Sequence, residues 1–340
     1  MYFAHLIVSL QTNLNTRNMK RLQNNIVRRL SVALVLLMTI GIASSFAQDT
    51  RQKKKVATTT TTTQKQASTS KTTQKTTPKK GNPSGKKGST KAPAPTIGTA
   101  ADRNKAIEYM NVSVGNVSFR MVMVDGGTFT MGATSEQGTA SSVEKPAHSV
   151  TLSSYYIGET EVTQELWQEV MGSNPSKFKN NRFPVEMVSW EDCQDFVRRL
   201  SQRTGKNFRM PTEAEWEYAA RGGRKSYGYM YSGGSSVDDV AWYTSNSGST
   251  THPVAQKRAN ELGLFDMSGN VCEWCSDFGS VFSPYPSSSP QTNPTGPSSG
   301  SSHVMRGGNW FTFSDCCRVS FRGCGSPAYR ENNVGLRLAL

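Results

Sequence analysis

The chain has 340 residues and a formal net charge of +14, which is distributed unevenly. Of its 39 basic residues, 17 lie before residue 98, so that 22 basic residues accompany 24 acidic ones in the remainder. This remainder is close to neutral, which excludes a nucleic-acid-binding domain, because the basic footprint of such a domain lies on its folded surface. Residues 116–340 are numerous enough for one large domain with a substantial core.

The first predicted element is a secretory signal peptide at residues 1–47. An apolar run at residues 30–42 follows two arginines and precedes a Ser-Phe-Ala site that ends at residue 47. The run is shorter than the roughly 18 residues that cross a bilayer, so no transmembrane span is expected after cleavage, and a retained anchor is the alternative. We therefore expect export to the periplasm or the cell surface, with translation starting at Met1 or Met19.

The next predicted element is a disordered tether at residues 48–115. Its central part, residues 51–97, consists largely of Thr, Lys, Gln, Ser, Pro and Gly. Such a segment buries too little apolar surface to offset the entropy cost of ordering it. Its positive charge can contact an anionic polymer of the cell envelope, and a solvated spacer is the alternative.

The folded part opens with strand patterns. Residues 118–124 alternate loosely, a pair of glycines follows, and residues 128–131 continue the pattern, which predicts a hairpin. Residues 148–157 form a third candidate strand. The first strand begins close to residue 116, where we place the start of the domain.

Three helices are predicted from capping residues and apolar spacing. Glu215 completes a capping box three residues after the N-cap of the last helix. The first helix is capped by Thr163 and stops at Gly172. The second is capped by Ser189 and ends at Gly205, and the third is capped by Thr212 and runs through Arg221. After residue 223 regular structure becomes hard to predict, so ions, disulfides or buried aromatic residues are expected to fix the long connections.

Six sequence motifs occur in an order that resembles the formylglycine-generating, or sulfatase-modifying factor, family. The most specific is RMPTEAEWEYAARG at residues 209–222. The others are MVDGGTFTMG at 123–132, EVT at 161–163 with Trp167, PV at 184–185 with VSW at 188–190, GLFDMSGNV at 263–271 with Glu273 and Trp274, and RGG at 306–308 with NVGLR at 333–337. The resemblance implies an α+β fold of low regular-structure content, related to C-type lectin-like domains.

The resemblance also implies one structural calcium ion. Family members bind calcium in the turn that corresponds to residues 266–273. Asp266 and Glu273 would supply carboxylate oxygens, and Gly269 and Val271 would supply backbone carbonyls. Calcium is a hard cation that takes six to eight oxygen ligands, so this set is chemically suitable. The alternative is that Asp266 organises the turn and Glu273 pairs with an arginine.

The oxidase site of the family is altered in this sequence. The family enzymes oxidise a substrate cysteine with copper(I) held by two cysteines, five residues apart, after the Gly-Gly pair. Cys317 occupies the second position and is the candidate catalytic residue, but Thr312 occupies the first, and a hydroxyl does not replace a thiolate for a soft ion. Copper is therefore not expected. Four neighbouring positions also differ from the family pattern: Asn309, Phe313, Cys316 and Cys272.

The remaining metal and thiol patterns are weaker. The histidines of the domain, His148, His252 and His303, lack the helical domain on which an iron-binding branch of the family carries its ligands. The six cysteines of an exported chain favour disulfides, and we prefer a pairing of Cys275 with Cys317. Redox or zinc chemistry at Cys272 and Cys275 is the alternative, and Cys193 is expected to be an inert core residue.

Three functions follow from these observations. The first is a non-catalytic envelope module that binds an unknown protein or glycan through aromatic residues near the C-terminal end. The second is a formylglycine-generating or related oxidase with an altered cysteine or metal site. The third is a structural component of gliding or secretion machinery, in which relatives of the family occur. The candidate aromatic residues are Trp310, Phe311, Phe313 and Tyr329.

Overall fold

The computed structural model describes residues 93–138, 140–280, 285 and 290–340. The predicted signal peptide and the first 45 residues of the predicted tether lie outside this part of the chain and stay predictions. Within the described part, no helix combines the length and the apolar character needed to cross a membrane.

Short helices and short strands alternate with long irregular segments. The helices are α1 (Ala100–Asn104), α2 (Gln164–Met171), α3 (Trp190–Thr204), α4 (Glu213–Ala220) and α5 (Val237–Val240). The strands are β1 (Tyr109–Val114), β2 (Val117–Val124), β3 (Gly127–Met131), β4 (His148–Leu152), β5 (Tyr155–Gly158), β6 (Cys272–Phe278), β7 (Gln291–Thr292), β8 (His303–Arg306), β9 (Gly323–Gly325) and β10 (Val334–Leu336). This mixed content confirms the predicted α+β class with low regular structure.

The strands form three small sheets. Their orders are β1-β2-β5, β3-β4-β7 and β10-β6-β8-β9. Strands β6 and β8 are antiparallel, with Glu273 opposite Arg306. This register places the turn before β6 and the loop after β8 at the same end of the third sheet. The segments that carry the predicted calcium ligands and the predicted oxidase cysteine therefore lie side by side.

The predicted hairpin is wrong, although its strands exist. Strand β2 pairs with β1, and β3 pairs with β4 in a different sheet. Between them the chain passes close to its neighbour, since a Cβ on Gly126 would lie 2.5 Å from the carbonyl oxygen of Leu152. The third predicted strand is likewise divided, because Ser153 leaves the sheet and donates its N–H to the side chain of Asn293 at 2.8 Å.

The folded domain also begins earlier than the predicted boundary at residue 116. All six residues of β1 pair with β2, from Tyr109 opposite Val122 to Val114 opposite Val117. Val112 and Val114 are buried in the core. The last residues of the predicted tether are thus part of the first sheet.

The capping predictions for the helices are confirmed. Thr163 caps α2, and Gly172 ends it in the left-handed conformation. Helix α3 has a capping box formed by Ser189 and Asp192, and α4 has one formed by Thr212 and Glu215. The predicted apolar stripe of α3 is buried: Cys193, Phe196, Val197 and Leu200.

Buried pairs of arginine and glutamate hold the irregular second half of the domain together. Several such pairs among the described residues bury both partners, and they include Arg306 with Glu217, Arg318 with Glu144, Arg322 with Glu213, and Arg337 with Glu273. Arginine suits such positions, because its planar fork bonds a carboxylate with two parallel N–H groups and offers further donors to backbone carbonyls. The sequence analysis anticipated only the pairing of Glu273 with an arginine, as the alternative to a calcium ligand. Together these pairs take the place expected for disulfides.

Residues 334–340 run through the interior and connect distant parts of the fold. Strand β10 pairs with β6 in parallel. Beyond it, the carbonyl oxygen of Leu338 accepts the N–H of Gly158 in β5 at 2.8 Å. Ala339 and Arg209 exchange backbone hydrogen bonds of 2.8 and 2.9 Å. One short segment therefore joins the first sheet, the third sheet and the chain that leads into α4.

Candidate functional site

The candidate site is the loop between β8 and the 3-10 helix Ser314–Cys317. Gly307 and Gly308 open the loop with φ angles of 98° and 68°, which a residue with a Cβ rarely adopts. A Cβ on Gly308 would also lie 2.7 Å from the carbonyl oxygen of Cys316. The beginning and the end of the loop can approach this closely because residue 308 has no side chain.

The hydroxyl of Thr312 stabilises a turn within this loop. The backbone N–H of Asn309 donates to Thr312 Oγ1 at 2.9 Å, and the hydroxyl donates to the carbonyl oxygen of Asn309 at 3.0 Å. Its proton and one of its two acceptor positions are thus used within the turn. At this position the chain offers a structural hydroxyl where a copper(I) site would require a soft thiolate.

Cys317, the predicted catalytic residue, lies beneath the loop. It is buried in a small apolar cluster with Tyr231 and Tyr243. Burial raises the pKa of the Cys317 thiol strongly, and the neighbouring thiols of Cys316 and Cys272 raise it further. The thiol is therefore protonated at neutral pH, whereas the thiolate is the form that binds metals and attacks substrates.

The structure brings two more thiols to the same place. The side-chain amide of Asn309 donates to Sγ of Cys272, with an N–S distance of 3.3 Å. Burial raises the pKa of the Cys272 thiol to about 12 and that of the Cys316 thiol to about 11. The sequence analysis singled out Cys272 and Cys316 as substitutions but did not predict that they lie within electrostatic reach of Cys317.

The predicted disulfides are not present, since all six cysteines are free thiols. The predicted pairing of Cys275 with Cys317 is wrong, because the two residues lie in different core clusters. Cys275 packs in a large core cluster that contains Trp216 and Val304, whereas Cys317 belongs to the separate cluster under the loop. The two thiols therefore contact different parts of the interior.

Three of the four candidate aromatic residues are exposed around this loop. The side chains of Phe311 and Phe313 are 64% and 53% exposed, and Tyr329 is 38% exposed. Trp310 is only 8% exposed, and its indole N–H donates to the carbonyl oxygen of Asn332 at 2.8 Å. Trp310 thus anchors the loop in the core, while Phe311, Phe313 and Tyr329, which we call the aromatic surface, face outward.

Glu273, one of the predicted calcium ligands, is paired with a buried arginine. Its Oε1 accepts hydrogen bonds from Arg337 at 2.7 and 3.1 Å. Its Oε2 accepts from Arg337 at 3.0 Å and from the indole N–H of Trp216 at 2.6 Å. Both oxygens are therefore already bonded within the protein, as the alternative interpretation of this residue expected.

The other predicted calcium ligands lie in the turn before β6. Asp266, with a φ of 58°, accepts the N–H of Ala255 at 2.7 Å. Gly269 has a φ of 84°, and Val271 donates its N–H to the carboxylate of Glu161 at 3.0 Å. Glu161, which the sequence analysis did not select, thus brings a third carboxylate to this turn.

When ionised, these carboxyl groups carry more negative charge than their surroundings neutralise. Glu161, Asp266 and Glu273 are buried within electrostatic reach of one guanidinium, that of Arg337. Burial raises the pKa of Asp266 to about 6, and burial with repulsion from Asp266 and Glu273 raises the pKa of Glu161 well above its usual range. Surplus negative charge on hard oxygen donors is the chemistry that calcium fits, so the residues fit the ion on charge.

Side-chain geometry alone does not form a metal cage. Across the described residues, no group of three or more His, Cys, Asp or Glu side chains is arranged to hold a metal ion. Backbone carbonyls would therefore have to complete any calcium shell. The histidines are used elsewhere: Nε2 of His252 lies 2.7 Å from the carbonyl oxygen of Ser247, and His303 stacks on Trp190 with ring centroids 3.7 Å apart.

Comparison with known proteins places this arrangement in a family. The model of the sulfatase-modifying factor enzyme 1-like domain matches residues 113–340. The chain belongs to this family. The match begins within β1, in agreement with the earlier start of the folded domain.

Individual relatives carry different names. The chain is 34% identical over 257 residues to "Chaperone protein LppX" of Paenibacillus barcinonensis, covering 61% of this chain and 84% of that protein. It is 30% identical over 285 residues to the formylglycine-generating enzyme of Streptomyces coelicolor, covering 64% and 88%. The solved structure of Treponema denticola variable protein 1 is similar, with a TM-score of 0.61, 36% identity and coverage of 68% and 98%.

This domain therefore combines the fold of the sulfatase-modifying factor family with a loop after β8 that opens on a Gly-Gly pair. The loop carries the hydroxyl of Thr312, which is bonded within its own turn, two exposed phenylalanines and the buried Cys317.

Proposed function

We propose that this domain is an exported binding module of the bacterial envelope that does not generate formylglycine. The observation that carries the proposal is the role of Thr312, whose hydroxyl is bonded within its own turn at the place of a copper-binding thiolate. The remaining thiol of that pair, Cys317, is buried and protonated. A two-thiolate copper(I) site needs both residues as accessible thiolates.

The aromatic surface supports ligand binding. Phe311 and Phe313 flank Thr312, and both rings face solvent on a loop that is fixed from below by Trp310. Exposed rings on a rigid loop lose little side-chain entropy on contact, and they bury a large apolar area against a sugar ring or a protein. An envelope glycan or protein is therefore the proposed ligand class. The predicted signal peptide supports an envelope location, and residues 51–97 would add charge-based contact with anionic polymer.

The aromatic surface is tested with paired variants on an array of bacterial envelope glycans. The full-length chain is expected to bind a subset of these glycans, and the double variant Phe311→Ala with Phe313→Ala should bind at least about tenfold more weakly, the equivalent of roughly 1.4 kcal/mol. Tyr227→Ala is the matched control, because Tyr227 is 49% exposed and lies outside the loop. Absence of glycan binding, or equal binding by the double variant and the control, would contradict a glycan ligand for this surface.

A second candidate function is favoured by three neighbouring thiols, those of Cys272, Cys316 and Cys317. Cys272, which accepts a hydrogen bond from the Asn309 amide, and Cys316 are partly exposed. An oxidase with a rearranged thiol site would use one of them in place of Thr312.

Incubation with a Cys-x-Pro-x-Arg peptide, oxygen and copper distinguishes the two candidate functions. Formation of the peptide aldehyde by the natural chain would support the oxidase and overturn the binding module, whereas Thr312→Cys is expected to gain copper(I) affinity.

We further propose a structural calcium ion at the turn before β6, held by Asp266 and the carbonyls of Gly269 and Val271, while Glu273, the fourth ligand predicted from the sequence, stays bonded to Arg337 and Trp216. Calcium would neutralise the surplus carboxylate charge of this turn and stabilise the folded state. At a calcium concentration 100-fold above the dissociation constant, the expected gain is about 2.7 kcal/mol. For a domain of this size, this corresponds to a rise of roughly 5 °C or more in melting temperature.

Differential scanning calorimetry of the full-length chain tests the calcium proposal. The melting temperature should rise in 1 mM calcium, fall again with chelator and respond less to magnesium, which tolerates irregular coordination poorly. Asp266→Asn should remove most of the response. An unchanged melting temperature together with no heat of calcium binding would exclude the ion.

A further inference from the structure

A concave region lies beside the C-terminal end of β6, away from the aromatic surface. It is a cavity of about 540 Å³, a volume typical of small-molecule sites. Much of its wall is apolar, and the lining residues that matter here are Met131, Ala214, Phe278, Pro294 and Pro297. Cys272 and the candidate loop are at the other end of β6, so this cavity is separate from the proposed binding surface.

Two charged groups in the cavity wall neutralise each other. Arg322 donates to both carboxylate oxygens of Glu213, at 2.6 and 2.7 Å. The same guanidinium donates to the carbonyl oxygen of Val143 at 3.0 Å and lies 4.1 Å from the ring centroid of Tyr285. Because Glu213 of α4 and Arg322 neutralise each other in this bidentate pair, together they give the cavity wall little net charge.

Asp277 is different, because its carboxylate has no cationic partner among the described residues. It is 4% exposed, and its Oδ2 accepts hydrogen bonds from the backbone N–H of Glu213 at 2.9 Å and from the hydroxyl of Ser276 at 3.0 Å. Its Oδ1 lies next to Gly296, another lining residue, where a Cβ would be 3.1 Å away. One oxygen is thus fixed by the protein, and the other lies beside the cavity.

The groups around Asp277 do not supply the missing charge. Glu213 is paired with Arg322, and Arg209, which lies within electrostatic reach of Asp277, is paired with Glu215 at 2.6 Å. The ring of His303 lies 3.2 Å from the carbonyl oxygen of Asp277, and burial lowers the pKa of this histidine. Burial and the charge of Glu213 raise the pKa of Asp277 to about 7. Near neutral pH the carboxyl therefore holds a proton or requires an external cation.

We propose that this cavity binds a primary alkylammonium group, such as a lysine side chain or an aliphatic amine, with Asp277 as its counter-ion. An ammonium ion is a compact point charge that one carboxylate oxygen can bind. A guanidinium would need both oxygens for its bidentate geometry, and Oδ2 is already occupied by two donors. The apolar wall formed by Phe278 and the two prolines suits the alkyl stem.

Isothermal titration of the full-length chain with n-pentylammonium at pH 8 tests the site, and 1-pentanol serves as the uncharged analogue. The ammonium should bind at least about tenfold more tightly than the alcohol, because a hydrogen bond to a charged group contributes roughly 1.5–3 kcal/mol. Asp277→Asn should remove this preference and leave the affinity for pentanol unchanged. Equal affinities of the natural chain for the two probes, or no binding of the ammonium, would overturn the proposal.

A pH series on the natural chain provides a test that does not depend on the folding of the variant. Pentylammonium stays charged between pH 5.5 and pH 8, whereas Asp277, with a pKa of about 7, becomes protonated as the pH falls. Affinity for the ammonium should therefore be about tenfold or more lower at pH 5.5, where its advantage over the alcohol is lost, and affinity for pentanol should not change. A pH-independent ammonium affinity would overturn the proposal. None of these outcomes depends on whether the aromatic surface binds a glycan.

Discussion

Replacing Arg337 with methionine should lower the free energy of unfolding by about 3–5 kcal/mol, the usual cost of removing one partner from a buried ion pair. The guanidinium of Arg337 bonds both oxygens of Glu273 and donates to the carbonyl oxygens of Gly158 and Phe265, each at 2.8 Å. Methionine preserves much of the volume but removes the charge. Three buried carboxylates would then remain without their neighbouring cation.

Arg330→Met is the matched control for this variant. Arg330 pairs with Asp192 at 2.7 Å, but both side chains are exposed enough for water to screen the interaction. Its loss should change the free energy of unfolding by no more than about 1 kcal/mol. Urea unfolding followed by tryptophan fluorescence measures both variants. If Arg337→Met and Arg330→Met were equally stable, buried charge pairing would not hold the turn before β6 in place.

Replacing Arg306 with methionine should also lower the free energy of unfolding by about 3–5 kcal/mol. In addition, it should loosen the segment that follows Cys317. The guanidinium binds Glu217 and donates to the carbonyl oxygens of Val319 and Ser320, both at 3.0 Å. Without it, the segment that follows Cys317 loses the backbone hydrogen bonds from Arg306 and keeps the ion pairs that its own Arg318 and Arg322 form. Each buried group left unpaired adds a penalty of roughly 1–3 kcal/mol.

Hydrogen exchange separates this local effect from general destabilisation. In Arg306→Met, backbone amides of residues 318–321 should exchange faster under native conditions, relative to the rest of the domain, than they do in Arg337→Met. Arg199→Met is the surface control, since Arg199 pairs with Asp195 at 2.8 Å on the exposed face of α3. Uniform acceleration across the domain in the Arg306 variant would contradict a specific role in fixing this segment.

Local signals in the sequence predicted the helices well. Thr163, Ser189 and Thr212 cap α2, α3 and α4 because the cap hydroxyl bonds a backbone N–H only three residues away. Strand pairing was predicted less well, since β2 and β3 follow each other in sequence but belong to different sheets. The choice of partner depends on contacts with β1 and β4, and no local pattern encodes those contacts.

The sequence predicted those features of the candidate site that depend only on which residue is present. It did not predict features that depend on where the fold places a side chain. The absence of a thiol at Thr312 is visible in the sequence, but its bonds within the turn are not. Trp310 and Phe311 are adjacent and equally aromatic, yet one is buried and the other exposed, because the loop turns between them. Asp277 gave no sequence signal, since its isolation results from the pairing of Arg322 with Glu213 across the fold.

The path of residues 334–340 has a consequence for the order in which the domain can fold. This segment contacts β5, β6 and the chain before α4, and it supplies Arg337. A ribosome, which builds the chain from its N-terminal end, adds these residues after all those contact partners. Until they are added, Glu273 lacks its cation and the first and third sheets lack their common link. The domain therefore cannot complete its interior during synthesis before this segment has been made.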